Sequence, residues 1–153
     1  MAMDTPDRNN DGAAVQTAPR RRFTLGEANK ALVLVKRIIT DVVADYRRLL
    51  DLHEMIERGA STGAVDLTEA ARDELVEVAE RLRNCLQELE DIGVDLIDWA
   101  KGVVAFPCLV DGRDVCLCWE YGQKSVSYWH DVTEGVEGRK PIATFPAATA
   151  ARV

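Results

Sequence analysis

The residues best suited to chemistry stand close together in the C-terminal half of this 153-residue chain. Cys116-Leu-Cys118-Trp119 is followed by Tyr121, then Val126-Ser-Tyr-Trp129-His130, then Gly135 and Gly138-Arg139. Cys108 lies just upstream, so three of the four cysteines fall between positions 108 and 130, with one of the two histidines. Thiols beside an imidazole suggest two chemistries. A Cys-x-Cys pair with a histidine could bind zinc, which needs its ligands to converge within about 2.0–2.3 Å of one ion. A Cys–His pair could instead serve as nucleophile and base, provided both side chains share one surface. Arg139 adds a planar cation suited to a carboxylate or phosphate. Trp129 offers a flat apolar wall, and Gly135 and Gly138 permit close backbone approach. Trp129, His130, Gly135, Gly138 and Arg139 therefore form the candidate ligand-binding set. The competing reading is an internal clasp, in which Arg139 and His130 pin the loop to the fold with Trp129 packed over it.

Strands must position these groups. Alternation and turn residues predict a three-stranded antiparallel β-meander over 102–130: Val103 to Val110, Val115 to Tyr121 and Ser125 to His130. The turns are Asp111-Gly112-Arg113 and Gly122-Gln123-Lys124. If both are tight, Val110 faces Val115, Phe106 faces Trp119, Trp119 faces Val126, Leu117 faces Tyr128 and Val115 faces His130. Phe106, Cys108, Val110, Val115, Leu117, Trp119, Val126 and Tyr128 then share a core face. Cys116, Cys118, Ser127 and Trp129 point the other way, apart from His130. This register sets Cys116 and Cys118 opposite the imidazole, while Cys108 shares its face but reads as buried, so no metal and no cofactor is expected, and the thiols are read as buried and inert. Pro107 requires an edge position, which the first strand of a meander supplies.

Ahead of the strands lies a helical hairpin over 24–93. Thr24 and Glu27 have the spacing of a capping box. Leu25, Ala28, Leu32, Val35, Ile39, Val42, Tyr46, Leu49, His53 and Ile56 then recur in alternating steps of three and four. His53 is the polar member of that seam and reads as a rim histidine. Gly59-Ala-Ser-Thr-Gly63 breaks the helix. Asp66 and Glu69 are expected to cap a second helix, with a seam of Ala71, Leu75, Val78, Leu82, Cys85, Leu89 and Ile92, ended by Gly93. The fold class is thus α+β: a long antiparallel, coiled-coil-like helical hairpin, then the meander. Ile38, Val43, Leu50 and Leu52 flank the first seam, with Val33 and Leu34 beyond, and need a further cover. That excess predicts a homodimer through the first helix.

The opening Phe23-Thr-Leu-Gly-Glu-Ala-Asn29, with Leu117-Cys-Trp119, Tyr128-Trp-His130, Gly135 and Gly138-Arg-Lys-Pro141, resembles the uncharacterised bacterial family known as domain of unknown function 2203. The resemblance spans about residues 23 to 142. The family pattern has Asp before Phe-Pro and Glu after the glycine of the second turn, where this chain has Ala105 and Gln123. Both departures remove a carboxylate. The family brings no established activity.

Composition narrows the classes. A net charge of -7 argues against a nucleic-acid binder working by bulk charge. No apolar run approaches the ~20 residues that span a bilayer, and the N-terminus lacks a signal-peptide core. Reduced thiols and a cytoplasmic location are expected. Residues 1–22, ending in Arg20-Arg21-Arg22, read as a disordered tail, 23–142 as one domain with a loop at 131–142, and 143–153 as a loose C-terminal end. No P-loop, dinucleotide fingerprint, nucleophile elbow or helical Glu-x-x-His is present. The reading is a non-enzymatic protein-interaction module. The alternative is a small-molecule binding protein or enzyme using the Trp129/His130/Arg139 loop.

Overall fold

A computed structural model describes residues 21–146. Helix α1 runs over Leu25–Thr62 and α2 over Val65–Ile92. The capping box forms: Glu27 N donates to Thr24 Oγ1 at 3.1 Å, and Thr24 N to Glu27 Oε1 at 2.9 Å. Helix α1 continues through Gly59 to Thr62 and stops at Gly63, whose φ of 78° is left-handed. Gly59 stays helical because α2 crosses it closely; a Cβ there would meet Thr68 Oγ1 at 2.0 Å. Asp66 does not cap α2, which begins at Val65 after Ala64 without a side-chain cap. Gly93 ends α2 in the left-handed conformation, as expected.

The two helices pack antiparallel. Ala71, Val78, Leu82, Cys85 and Leu89 of the expected seam are buried on α2, Leu75 and Ile92 are half-buried, and Thr68, outside the expected seam, is buried as well. On α1 the seam holds from Ala28 to Val42 and then shifts. Leu52 is buried and His53 is exposed, pairing with Glu57 at 3.6 Å. A straight helix drifts against a strict seven-residue repeat, so the buried stripe passes from position 53 to 52. Ile38 is buried too and Val43 half-buried. Much of the apolar excess on α1 is therefore covered within the chain.

Over Ile39 and Val43 the cover comes from the sheet side, beside Gly102; the sheet is antiparallel with five strands, not three, in the order β1-β2-β3-β4-β5. They span Asp95–Asp98, Val103–Val110, Arg113–Glu120, Tyr128–Asp131 and Lys140–Pro141. The outer two hold four and two residues, too short to show a period. Strand β2 is not an edge, since β1 pairs with it. That pairing stops at Ala105, which leaves Pro107 without a strand partner on that side. There the chain entering α1 takes over, with Phe23 N donating to Pro107 O at 2.7 Å.

Both hairpin registers differ from expectation. The first turn is the two-residue Asp111-Gly112, with φ of 50° and 77°, which suits a tight hairpin turn. Val110 therefore faces Arg113, and Phe106 faces Leu117. A shift of two keeps every side chain on its face, so Phe106, Cys108, Val115, Leu117 and Trp119 still point into the core. The second link is not tight. Trp119 Nε1 donates to Gln123 O at 2.7 Å, and Val126 N to Asn29 Oδ1 on α1 at 2.9 Å. These bonds hold 121–127 as a loop, and β4 starts only at Tyr128. Leu117 then faces Trp129, and Cys116 faces His130. This slip of one residue exchanges the faces of β4.

The last segment is part of the fold. Phe145 is buried, and its ring lies 5.6 Å from that of Trp129. Residues 1–20 and 147–153, with the tails expected there, lie outside the described residues.

Candidate functional site

The exchanged faces of β4 decide where the candidate residues stand. Trp129 points into the core, where its Nε1 donates to Thr144 Oγ1 at 2.9 Å. It is a packing residue and offers no wall to a ligand. His130 points to the outer face of the sheet, away from the helices, beside Cys116 and Cys118. The argument that set thiols and imidazole apart is thereby overturned.

Arg139 also reaches this outer face. Its guanidinium carbon stands 4.8 Å from the centre of the Tyr128 ring, a cation–π distance. Its Nη1 lies 3.5 Å from Glu120 Oε1. Arg139 therefore clasps β3 and β4 through Glu120 and Tyr128, partners the sequence reading did not pair with it. Gly135, at φ 75°, turns the loop. Gly138 is packed against Glu134, where an added Cβ would come within 2.9 Å of that side chain. Lys140 Nζ closes the loop on Glu134 at 2.7 Å. That bond holds the Glu134 carboxyl below its ordinary range. The five candidate residues thus do not converge. Trp129 leaves the set, the glycines shape the loop, and His130 and Arg139 remain on one face.

His130 is only 4% exposed. Its Nδ1 lies 2.9 Å from the Asp131 carbonyl oxygen. A carbonyl can only accept, so Nδ1 donates, and in the neutral imidazole Nε2 then carries the lone pair. Nε2 is buried and has no hydrogen-bond partner among the described residues. Such a group is costly to bury.

The four cysteines are not in disulfides. Burial pushes the Cys118 thiol up to about 12; the neighbouring Cys116 adds to this and Arg139 opposes it. Cys85 and Cys108 are likewise raised by burial. Cys116 alone is half-buried rather than buried. It lines a cleft of about 290 Å³ with Arg22, Asp95, Pro107, Asp114 and Val132. Among the described residues no group of three His, Cys, Asp or Glu side chains is placed to hold a metal ion. Ala105 and Gln123, the two positions noted above as departures, are also placed. Ala105 is the cross-strand partner of Cys118 on the outer face. Gln123 turns inward, and its Oε1 accepts from Glu120 N at 3.1 Å.

The profile of one family, described as an uncharacterized conserved protein (DUF2203), matches residues 21–142. The chain belongs to that family. No curated protein and no solved structure matches it. The DUF2203 match covers the hairpin, all five strands and the loop that carries Arg139.

A second surface was not visible in the sequence. The two flanks of the hairpin differ in chemistry. On one flank Arg48 forks onto Glu74 at 2.7 and 2.8 Å, and Arg81 onto Asp45 at 3.2 and 3.0 Å. On the other flank Tyr46, Leu49, Ala79, Leu82 and Leu86 line a groove of about 410 Å³, closed at one end by Trp99 and edged by Arg83. Leu50 on α1 and Val76 on α2 follow these stripes at helical spacing and stand 50% and 65% exposed. The groove continues the face of α1 that the sheet covers nearer its start, where Ile39 and Val43 pack against Gly102. Helix periodicity marked Leu50 as excess. It could not show that the sheet ends at Trp99.

Proposed function

We propose that this DUF2203 chain is a non-enzymatic protein-interaction module that pairs with a second copy of itself through the bare flank of its helical hairpin. The unequal flanks carry the reading. Ion pairs close one side of the hairpin, while the other presents an apolar groove beside exposed apolar ridges. A surface holding both a groove and ridges of the same chemistry can complement itself across a two-fold axis, each copy setting Leu50 and Val76 against the other's groove. Burying that stripe in a partner removes apolar area from water, at about 25 cal/mol per Å². Val43 and Leu52 do not belong to this surface, because they are covered within the chain.

Sedimentation velocity at high micromolar concentration tests the reading. The parent should sediment as a dimer. The double variant Leu50→Glu with Val76→Glu should be monomeric and still melt cooperatively, below the parent only by the stabilisation that dimerisation supplies, since both side chains are exposed within one chain. Leu109→Glu, exposed on the outer sheet face, should leave the dimer intact. A monomeric parent would overturn the proposal.

A further inference from the structure

We propose that Cys116 is a reactive thiol whose proton is taken by His130, and that it exchanges with small-molecule disulfides entering the cleft beside it. The inference is independent of the hairpin surface. It begins with register. Cys116 and His130 are direct cross-strand partners on one face, a placement that brings Cβ atoms to about 4.5–5.5 Å. A thiol and an imidazole at that separation come into hydrogen-bond reach by side-chain rotation alone, and such pairs tighten when a reactant binds.

Two further observations give the pair its chemistry. His130 is held with its proton on Nδ1 by the Asp131 carbonyl. Nε2 is left as a buried lone pair with no hydrogen-bond partner among the described residues, on the face where the thiol stands. A thiol is the one acidic proton source that the cross-strand position supplies, and proton transfer would give Nε2 a partner. The second observation is access. Cys118, two residues on, is fully buried with its thiol held protonated, whereas Cys116 opens to the cleft of about 290 Å³. Arg22, Asp95 and Asp114 line the same cleft, and Arg22 is paired with Asp114 at 2.9 Å, so the imidazole of His130 and not the cleft's charge must take the thiol proton. A cleft of that size can seat the sulfur-bearing part of a small organic disulfide.

The step balances without a metal or a cofactor. The Cys116 S–H proton passes to His130 Nε2. The thiolate attacks one sulfur of the disulfide, forming a new S–S bond as the original one breaks. The departing thiolate takes the proton back from Nε2. Cys116 is oxidised to a mixed disulfide and one small thiol is released reduced. Cys118, buried at the next position on the same face, has no access to the incoming molecule.

The test uses the intact chain and glutathione disulfide, followed by whole-protein and peptide mass spectrometry at pH 7. One adduct per chain should form, at Cys116, about tenfold faster than on free cysteine, whose thiolate fraction is only a few per cent at that pH. Cys116→Ser should abolish it, while Cys85→Ser should not change it. His130→Asn keeps a donor for the Asp131 carbonyl and removes the base. It should slow the adduct about tenfold while leaving the melting temperature within a few degrees. If that variant does not fold, the site preference and rate of the parent still decide. Modification spread over several cysteines, a Cys116 rate equal to that of free cysteine, or an undiminished rate in His130→Asn would overturn the proposal. One equivalent of zinc held by the purified parent and lost in Cys116→Ser would also overturn it, because the pair would then be ligands.

Discussion

Asp131 ends β4 and organises the turn that follows. Its carboxylate accepts from Thr133 N at 3.3 Å and Thr133 Oγ1 at 3.1 Å, and faces Arg113 at 3.4 Å. The bonds from Thr133, above all, hold the carboxyl below its ordinary range. A depressed folded pKa means stability that is present above the unfolded value, about 3.9, and is lost as pH falls through the folded value. Asp131→Ala should therefore lower the melting temperature at pH 7, and the gap to the parent should close as the pH approaches 3. A gap of equal size at both pH values would show that the charge is not the cause. At this scale the sequence was legible where the signal is local. Thr24 and Glu27 form their capping box, and Gly93 ends its helix. His130 was misplaced because its face depends on how many residues link β3 and β4, and that count is set by bonds from Trp119 and to Asn29, the latter on a distant helix.

Among the elements, the helices were legible and the strands only partly so. A helix of 38 residues repeats its pattern ten times over, and one shifted position does not hide it. A strand of two or four residues shows no pattern at all, so β1 and β5 became visible only through their pairing. Gly59 is the feature of α1 that the sequence misassigned, as a breaker. It lies inside the helix as the point of closest approach to α2. Alanine is ordinarily the better helix former by about 1 kcal/mol, yet Gly59→Ala should destabilise this hairpin. Its Cβ would meet Thr68 Oγ1, which itself donates to Ala64 O at 2.8 Å. In a Thr68→Ala background the same substitution should be neutral or stabilising. Thermal denaturation of the four variants in the cycle reads the coupling. A stabilising Gly59→Ala in the parent would show that the crossing is looser than described.

At the scale of the molecule, the hairpin and sheet are tied by a few polar bonds as well as by the core. Lys36 Nζ donates to Lys124 O at 2.6 Å, and Asn29 Oδ1 accepts from Val126 N. Both fix the loop between β3 and β4 onto α1. Asn29→Ala would leave the amide of the buried Val126 unsatisfied, at a cost of about 1–3 kcal/mol. Hydrogen exchange should report faster exchange over 122–127 with the α1 amides unaffected. Uniform acceleration over the whole chain would mean that this bond supports the global fold instead. Both ends of the described chain close on the sheet. Phe23 packs edge-on against Phe106 with ring centres 5.2 Å apart, and Phe145 against Trp129. The family match over residues 21–142 takes in Phe23 and stops just short of Phe145.

The order in which these parts leave the ribosome follows from where the sheet sits in the chain. Helices α1 and α2 are made first, and their mutual contacts are near in sequence and quick to form. The residues that shelter Ile39 arrive with Gly102 and the strands after it, and the last pairing, Tyr128 with Pro141, comes later still. At synthesis rates of about 5–20 residues per second, the nascent hairpin spends on the order of several seconds with its future sheet-binding stripe wet. During that interval two growing chains on one message carry the same sticky helix face. Premature association there would compete with folding, and the short loop between α1 and α2 limits it by letting each chain bury its own seam at once.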